Sequence, residues 1–155
     1  MSSGKRRKAG GIQPKMSEGD RPILLDTHYW VWLQFDIKDK VPPATLRSIR
    51  ASAKSGTLLV SAMSVWEVAM LEAKGRLQLF SECAQWVQKA LATPGLILVP
   101  LTPEIAIQST RLPGEIHAEP SDRIIAATAR VMGARLATAD QKLIDYASRG
   151  HIVLC

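Results

Sequence analysis

Residues 120–140 read PSDRIIAATARVMGARLATAD. The stretch holds a complete helix-to-strand unit. Pro120 and Asp122 suit a helix start, and the small apolar run after them suits a helix packed closely on a sheet. Gly133 supplies a stop. The spacing predicts a helix over 122–133, then a short strand over 134–139, and an acid, Asp140, directly after the strand.

The same grammar extends to the rest of the chain. ILLD at 23–26 is a short apolar run ending in an acid, the mark of a buried parallel strand. HYWVWLQF (28–35) has helical content. PPATLRSIRASAKSG (42–56) has Pro at its entry and Gly at its exit, so it reads as a helix. TLLVS (57–61) and LILVP (96–100) are strands. Between them, 64–77 and 81–95 read as helices. Thr102 and Pro103 give an N-cap and a first helical residue for a helix reaching about Arg111. A helix over 140–150 and a strand over 151–155 close the chain.

Strands alternating with helices imply an α/β three-layer sandwich with a mostly parallel central sheet. Right-handed crossovers then place helices on both faces. The folded domain spans 22–155, preceded by a basic tail over 1–21.

Composition agrees with one globular domain. The 155 residues are 46% hydrophobic and 22% charged. No apolar run reaches membrane-spanning length, and no secretory leader is visible, so a cytosolic location is expected. Cys83 and Cys155 make no disulfide framework and no CxxC pair. The net charge of +6 is concentrated in Lys5, Arg6, Arg7, Lys8 and Lys15. Outside them stand 15 basic and 14 acidic residues. The tail is expected to be disordered. It either adds nonspecific attraction to phosphates or lies upstream of a start at Met16.

In a parallel sheet all strands finish at one edge, where open α/β folds bind their ligands. Asp26 ends the first strand and Asp140 follows the fourth. Glu67 stands near the start of the helix after the second strand, and Asp122 opens the helix that feeds the fourth. Each acid has a plain structural use. Asp26 and Asp140 can cap helices, and Asp122 complements a helix dipole. Ser64 and Glu67 fit the S-x-x-E capping box. Four caps converging on one edge nevertheless form a cluster. Two carboxylates about 4 Å apart repel by roughly 4 kcal/mol at an effective dielectric near 20, so such a cluster calls for a cation. Oxygen-only donors suit Mg²⁺ or Mn²⁺, the ions of phosphodiester hydrolysis.

LLDTH (24–28), SAMSVWEVAMLEAKGRL (61–77), PSDRIIAATARVMGARLATAD (120–140) and KLIDYA (142–147) resemble the PIN-domain family, and within it the VapC-type toxins. The resemblance covers about 22–155. It implies that Asp26, Glu67, Asp122 and Asp140 are the family's four acids, holding Mg²⁺ or Mn²⁺, with Thr27 and Thr138 orienting them. It also implies a ribonuclease toxin that leaves 5′-phosphate and 3′-hydroxyl ends, silenced by a cognate antitoxin, and a homodimer. Where many such toxins have Asp before the Pro of the third motif, this chain has Glu119.

Other readings stay open beside this one. A PIN domain can process RNA without being a toxin. A receiver-like binding module would want an acceptor acid after its third strand, where this chain has Val99-Pro100. The absence of HExxH, GxGxxG and GxxxxGK[ST] removes zinc-hydrolase, dinucleotide and P-loop chemistry. His28, two residues after Asp26 at a strand–helix junction, can touch the site, a packing or hydrogen-bonding role being favoured for it. His117 and His151 are read as packing or hydrogen-bonding residues. All four tryptophans, Trp30, Trp32, Trp66 and Trp86, are candidates for stacking on bases, the core reading being favoured for Trp66. Trp30 and Trp32 cannot share a helix face, so one of the two is expected at a surface. Arg123 can bind substrate phosphate or pair with Glu119 or Asp122, the ion pair being favoured.

Overall fold

A computed structural model describes residues 16–116 and 118–155. The expectations for the first 15 residues and for His117 lie outside them.

Five strands form one fully parallel sheet in the order β3-β2-β1-β4-β5: β1 Ile23–Leu25, β2 Leu58–Ser61, β3 Leu96–Val99, β4 Arg135–Ala137 and β5 Val153–Leu154. The connecting helices are α1 Thr27–Gln34, α2 Pro43–Lys54, α3 Ala62–Ala73, α4 Cys83–Leu91, α5 Pro103–Ser109, α6 Pro120–Val131 and α7 Gln141–Ser148. The alternation is the one the sequence implied. Two 3₁₀ turns, Glu18–Asp20 and Lys38–Lys40, were not anticipated.

The period-2 pleat of the strands divides the core in two. Leu24, Leu59 and Leu136 point to one face, against Ile105 of α5, Ile125 and Ala126 of α6, and Leu143 and Tyr146 of α7. Ile23, Leu25, Leu58, Val60 and Ala137 point to the other, against Trp30 of α1, Ile49 of α2, Val68 of α3 and Trp86 of α4. Both faces are therefore covered, which makes three layers. Ala126, Ala127 and Ala129 are fully buried or nearly so and let α6 lie close to the sheet.

Several boundaries differ for physical reasons. α6 begins at Pro120, two residues before the expected start, because proline fits the first helical position. α3 begins at Ala62, capped by Ser61, whose hydroxyl accepts from the Met63 N–H at 3.0 Å. Ser64 therefore lies inside the helix, and the expected Ser64–Glu67 capping box does not exist. The turn into β3 needs a glycine: Gly95 has φ +80°, and a Cβ there would stand 1.8 Å from the Ala53 carbonyl oxygen.

The register aligns Leu25 with both Val60 and Ala137. The carboxyl ends of β1, β2 and β4 therefore lie side by side. Strand order also reverses at β1: the chain moves to β2 and β3 on one side and returns to β4 and β5 on the other. This is a topological switch point, where a crevice opens between helices of opposite faces.

Candidate active site

The switch point brings Asp26, Thr138 and Asp140 together. Asp26 caps α1: its Oδ1 accepts the Tyr29 N–H at 2.9 Å, and its Oδ2 accepts the Thr138 hydroxyl. Only 3% of Asp26 is exposed. Thr138 Oγ1 in turn accepts the Asp140 N–H at 3.0 Å. Asp140 caps α7, accepting from the backbone N–H groups of Lys142 and Leu143 at 2.9 and 3.2 Å. The capping uses foreseen for Asp26 and Asp140 are thus present alongside their convergence.

Glu67 arrives from α3. Its Oε1 accepts the Thr27 hydroxyl at 2.9 Å, and that hydroxyl also bonds Ser64 Oγ at 2.9 Å. Thr27 thereby ties the first turn of α1 to the first turns of α3. Asp122 stands in the first turn of α6, half-buried, with the Glu119 backbone bonded to its carboxylate. It therefore serves the helix start and faces the cleft at once.

Burial pushes the carboxyls of Asp26, Glu67 and Asp122 above their usual range. The acids also act on one another. Asp140 raises both Asp26 and Asp122, while Asp122 and Asp26 raise Glu67. All four therefore belong to one electrostatic set. The Thr138 hydroxyl and the Tyr29 N–H oppose the rise at Asp26, and the Thr27 hydroxyl opposes it at Glu67.

A cleft of about 530 Å³ opens over this set. Glu67, Asp122 and Asp140 line it, with Glu119, Pro120 and Ser121 on one wall and Trp66, Met70, Lys74 and Arg76 on another. Asp26 lies beneath, among its hydrogen bonds. Two further hollows, one beside Arg130 and His151 and one beside Ser48 and Arg135, sit at the opposite, amino edge of the sheet, away from the four acids.

Oxygen donors under mutual repulsion suit a hard divalent cation. Among the described residues, no group of three or more acid, histidine or cysteine side chains is arranged to hold a metal ion by itself. Mg²⁺ keeps several of its waters and needs only one or two direct carboxylates. The donor set fits such an ion held partly through water.

Two residues, Trp66 and Arg123, differ from their favoured sequence reading. Trp66 is 57% exposed and lines the cleft, not the core. Arg123 makes no ion pair with Glu119 or Asp122. Its Nε donates to the Ser109 carbonyl at 3.2 Å and its Nη1 to the Ile116 carbonyl at 3.1 Å, so it braces the loop that delivers α6. His28 is exposed at the cleft mouth, its ring 6.0 Å from that of Trp32, and it opposes the rise of the Asp26 and Glu67 carboxyls. Its place two residues after Asp26 allowed for this position at the site. His151 does pack, with its ring 4.8 Å from that of Tyr146. Trp30 and Trp86 are core, their rings 5.4 Å apart, and Trp32 is the partly exposed member of its pair.

The PIN-domain family profile matches residues 23–148, from β1 to the end of α7. The chain belongs to the PIN-domain family.

Among individual relatives, the chain is 31% identical over 124 residues to Ribonuclease VapC22 of Mycobacterium tuberculosis, an alignment covering 80% of this chain and 91% of that protein. The fold of this PIN domain is similar to that in VapBC2 from Rickettsia felis bound to a promoter DNA fragment: TM-score 0.62, 16% identity, covering 86% of this chain and 96% of the other. DNA-bound VapBC from Salmonella typhimurium gives 0.60 and 18%, covering 87% and 97%. FitAcB from Neisseria gonorrhoeae gives 0.56 and 18%, covering 86% and 96%. At these identities the structural likeness speaks for the fold. PIN membership removes the receiver-like alternative, and β3 ends at Val99 with no acceptor acid.

Proposed function

We propose that this PIN domain is a VapC-type ribonuclease, the toxin of a toxin–antitoxin pair, which hydrolyses RNA phosphodiester bonds with Mg²⁺ or Mn²⁺. The observation that carries the reading is the meeting of Asp26, Glu67, Asp122 and Asp140 in one electrostatic set at the switch point, beneath a single cleft. The similarity to a protein named as a ribonuclease supports it.

Glu67, Asp122 and Asp140 face the cleft and would hold the ion directly or through water, with Asp26 steadying it from below. When bound, the ion supplies positive charge opposite the phosphodiester and makes nearby water more acidic. Thr27 and Thr138 fix the rotamers of Glu67 and Asp26, so the carboxylates need not reorganise during reaction. Attack by water in line with the leaving oxygen breaks the P–O3′ bond and leaves a 5′-phosphate and a 3′-hydroxyl. No residue of the cleft has to form a covalent intermediate.

The assembly partners belong to the same proposal. Two of the structural neighbours are VapBC complexes, which supports an antitoxin as the protein partner; a homodimer belongs to the same proposal. Among the described residues no helix is long and apolar enough to cross a membrane, and a cytoplasmic location is proposed.

Purified protein and total RNA test the reading. The expected result is cleavage with Mg²⁺ or Mn²⁺ that stops with EDTA, and growth arrest on expression that a small neighbouring open reading frame relieves. Cleavage that persists in EDTA contradicts the metal mechanism. Cleavage without growth arrest would favour an RNA-processing PIN nuclease.

A further inference from the structure

Trp66 stands next to Glu67 in α3, and 57% of it is open to solvent. Large aromatic side chains exposed inside a cleft have a use more often than those scattered on a convex surface. Its indole stacks on no other aromatic ring among the described residues. The other tryptophans are fully or partly buried and engage neighbouring rings.

Helical spacing aligns Trp66 with two residues nearer the end of α3. Met70 is one turn beyond Trp66, and Lys74, at the C-cap, is one turn further, so the three share a face. Lys74 lies about 12 Å along the axis from Trp66. Gly75, at φ +69°, turns the chain, and Arg76 also lines the cleft. Neither cation forms an ion pair among the described residues. The cleft therefore offers acids at one end, a flat aromatic face beside them, and two cations beyond.

We propose that Trp66 is a base-stacking platform, holding one unstacked RNA base beside Glu67 while Lys74 and Arg76 take the adjoining phosphates. The proposal rests on the ribonuclease reading and adds to it the residue that favours single-stranded RNA. A base within a duplex has no free face to offer the indole. Stacking is tolerant of base identity, because every base presents a π-face. A protein side chain is a poorer occupant, because apart from Trp66, Met70 and Pro120 the cleft is lined by charged and polar residues, where a protein anchor would need continuous apolar surface.

The test is fluorescence anisotropy of a labelled, mixed-sequence single-stranded RNA with Mg²⁺, in a cleavage-silent Asp122→Asn background. Trp66→Ala and Trp66→Leu are expected to weaken binding about tenfold, the lower part of the range for one stacked base. Trp66→Phe should stay within about threefold of the parent, because it keeps an aromatic face. None of the three should change binding to a duplex of the same sequence. Unchanged affinity in the Ala and Leu variants overturns the proposal and leaves Trp66 to a protein partner. So does an equal loss in the Phe and Ala variants, which would deny stacking. If the Asp122→Asn parent binds no RNA, the platform is overturned, while cleavage by the wild-type chain separately decides the ribonuclease reading.

Discussion

The Thr138 hydroxyl donates to Oδ2 of Asp26, joining the ends of β4 and β1 across 112 residues of chain. The oxygen of the Thr138 hydroxyl also accepts the Asp140 N–H. One threonine therefore sets the spacing of two of the four acids and keeps a buried carboxylate supplied with a donor. Thr138→Val, nearly isosteric, removes both bonds. Its expected cost is about 10- to 100-fold in cleavage rate. Unfolding free energy should fall by about 1–3 kcal/mol, since a buried acceptor loses its partner. Thr138→Ser should recover most of both. Rate measurements and urea denaturation on the three proteins check this.

The carboxyl pKa values of Asp26, Glu67 and Asp122 are raised in the folded chain, mainly by desolvation. A raised carboxyl means the folded state holds its proton more tightly than the unfolded state. Between the unfolded and folded pKa values, stability therefore falls as pH rises, and above the folded pKa the full penalty is present. The metal-free protein should accordingly gain stability as pH drops from neutrality toward the ordinary values of 3.8 for Asp and 4.5 for Glu. Mn²⁺ should raise the melting temperature more at neutral pH than in that acidic window. Glu67→Gln should flatten the pH slope of the metal-free protein. An unchanged slope would show that Glu67 is not among the groups responsible.

Arg123 is expected to act through the loop it braces. Arg123→Gln loses the bonds to the Ser109 and Ile116 carbonyls and should destabilise the fold by about 1.5–3 kcal/mol. It should also expose the segment before Pro120 to protease. The salt dependence of RNA binding should not change, because the guanidinium is committed to the two carbonyls and not to phosphate. A slope reduced by about one would assign Arg123 to the RNA backbone instead.

Gly95→Ala should lower stability by more than about 2 kcal/mol while leaving the chemistry of the folded fraction intact. The new methyl would meet the Ala53 carbonyl at 1.8 Å, and φ +80° is unfavourable for alanine. Denaturant midpoints alongside rates per folded molecule separate the two effects.

Local chemistry made most of this fold readable. Thr102-Pro103 and Gly133 mark helix ends in their own few residues, and short apolar runs mark buried strands. A parallel sheet then sends Asp26 and Asp140 to one edge without any knowledge of lateral strand order, which the sequence does not encode locally. The face of α3 was not readable. Its apolar residues run around the helix, so nothing in the sequence said that Val68 would be buried and Trp66 open. The start of α3 was equally ambiguous, because Ser61 and Ser64 both suit a cap, and the end of β2 decides between them. The acceptors of Arg123 are carbonyls at the end of α5 and in an irregular loop, and neither has a side-chain signature.

If the four acids act together as a divalent-cation site for RNA hydrolysis, removing either of two cleft-facing carboxylates should abolish the chemistry. The decisive measurement is single-turnover cleavage of a defined RNA across a Mn²⁺ titration, comparing wild type with Asp122→Asn and Asp140→Asn at matched circular dichroism. Metal-dependent cleavage is expected from the wild type, with a loss of at least about 100-fold in each variant that added Mn²⁺ does not restore. Cleavage by either variant at the wild-type rate, with the same Mn²⁺ dependence, would refute the shared cation site.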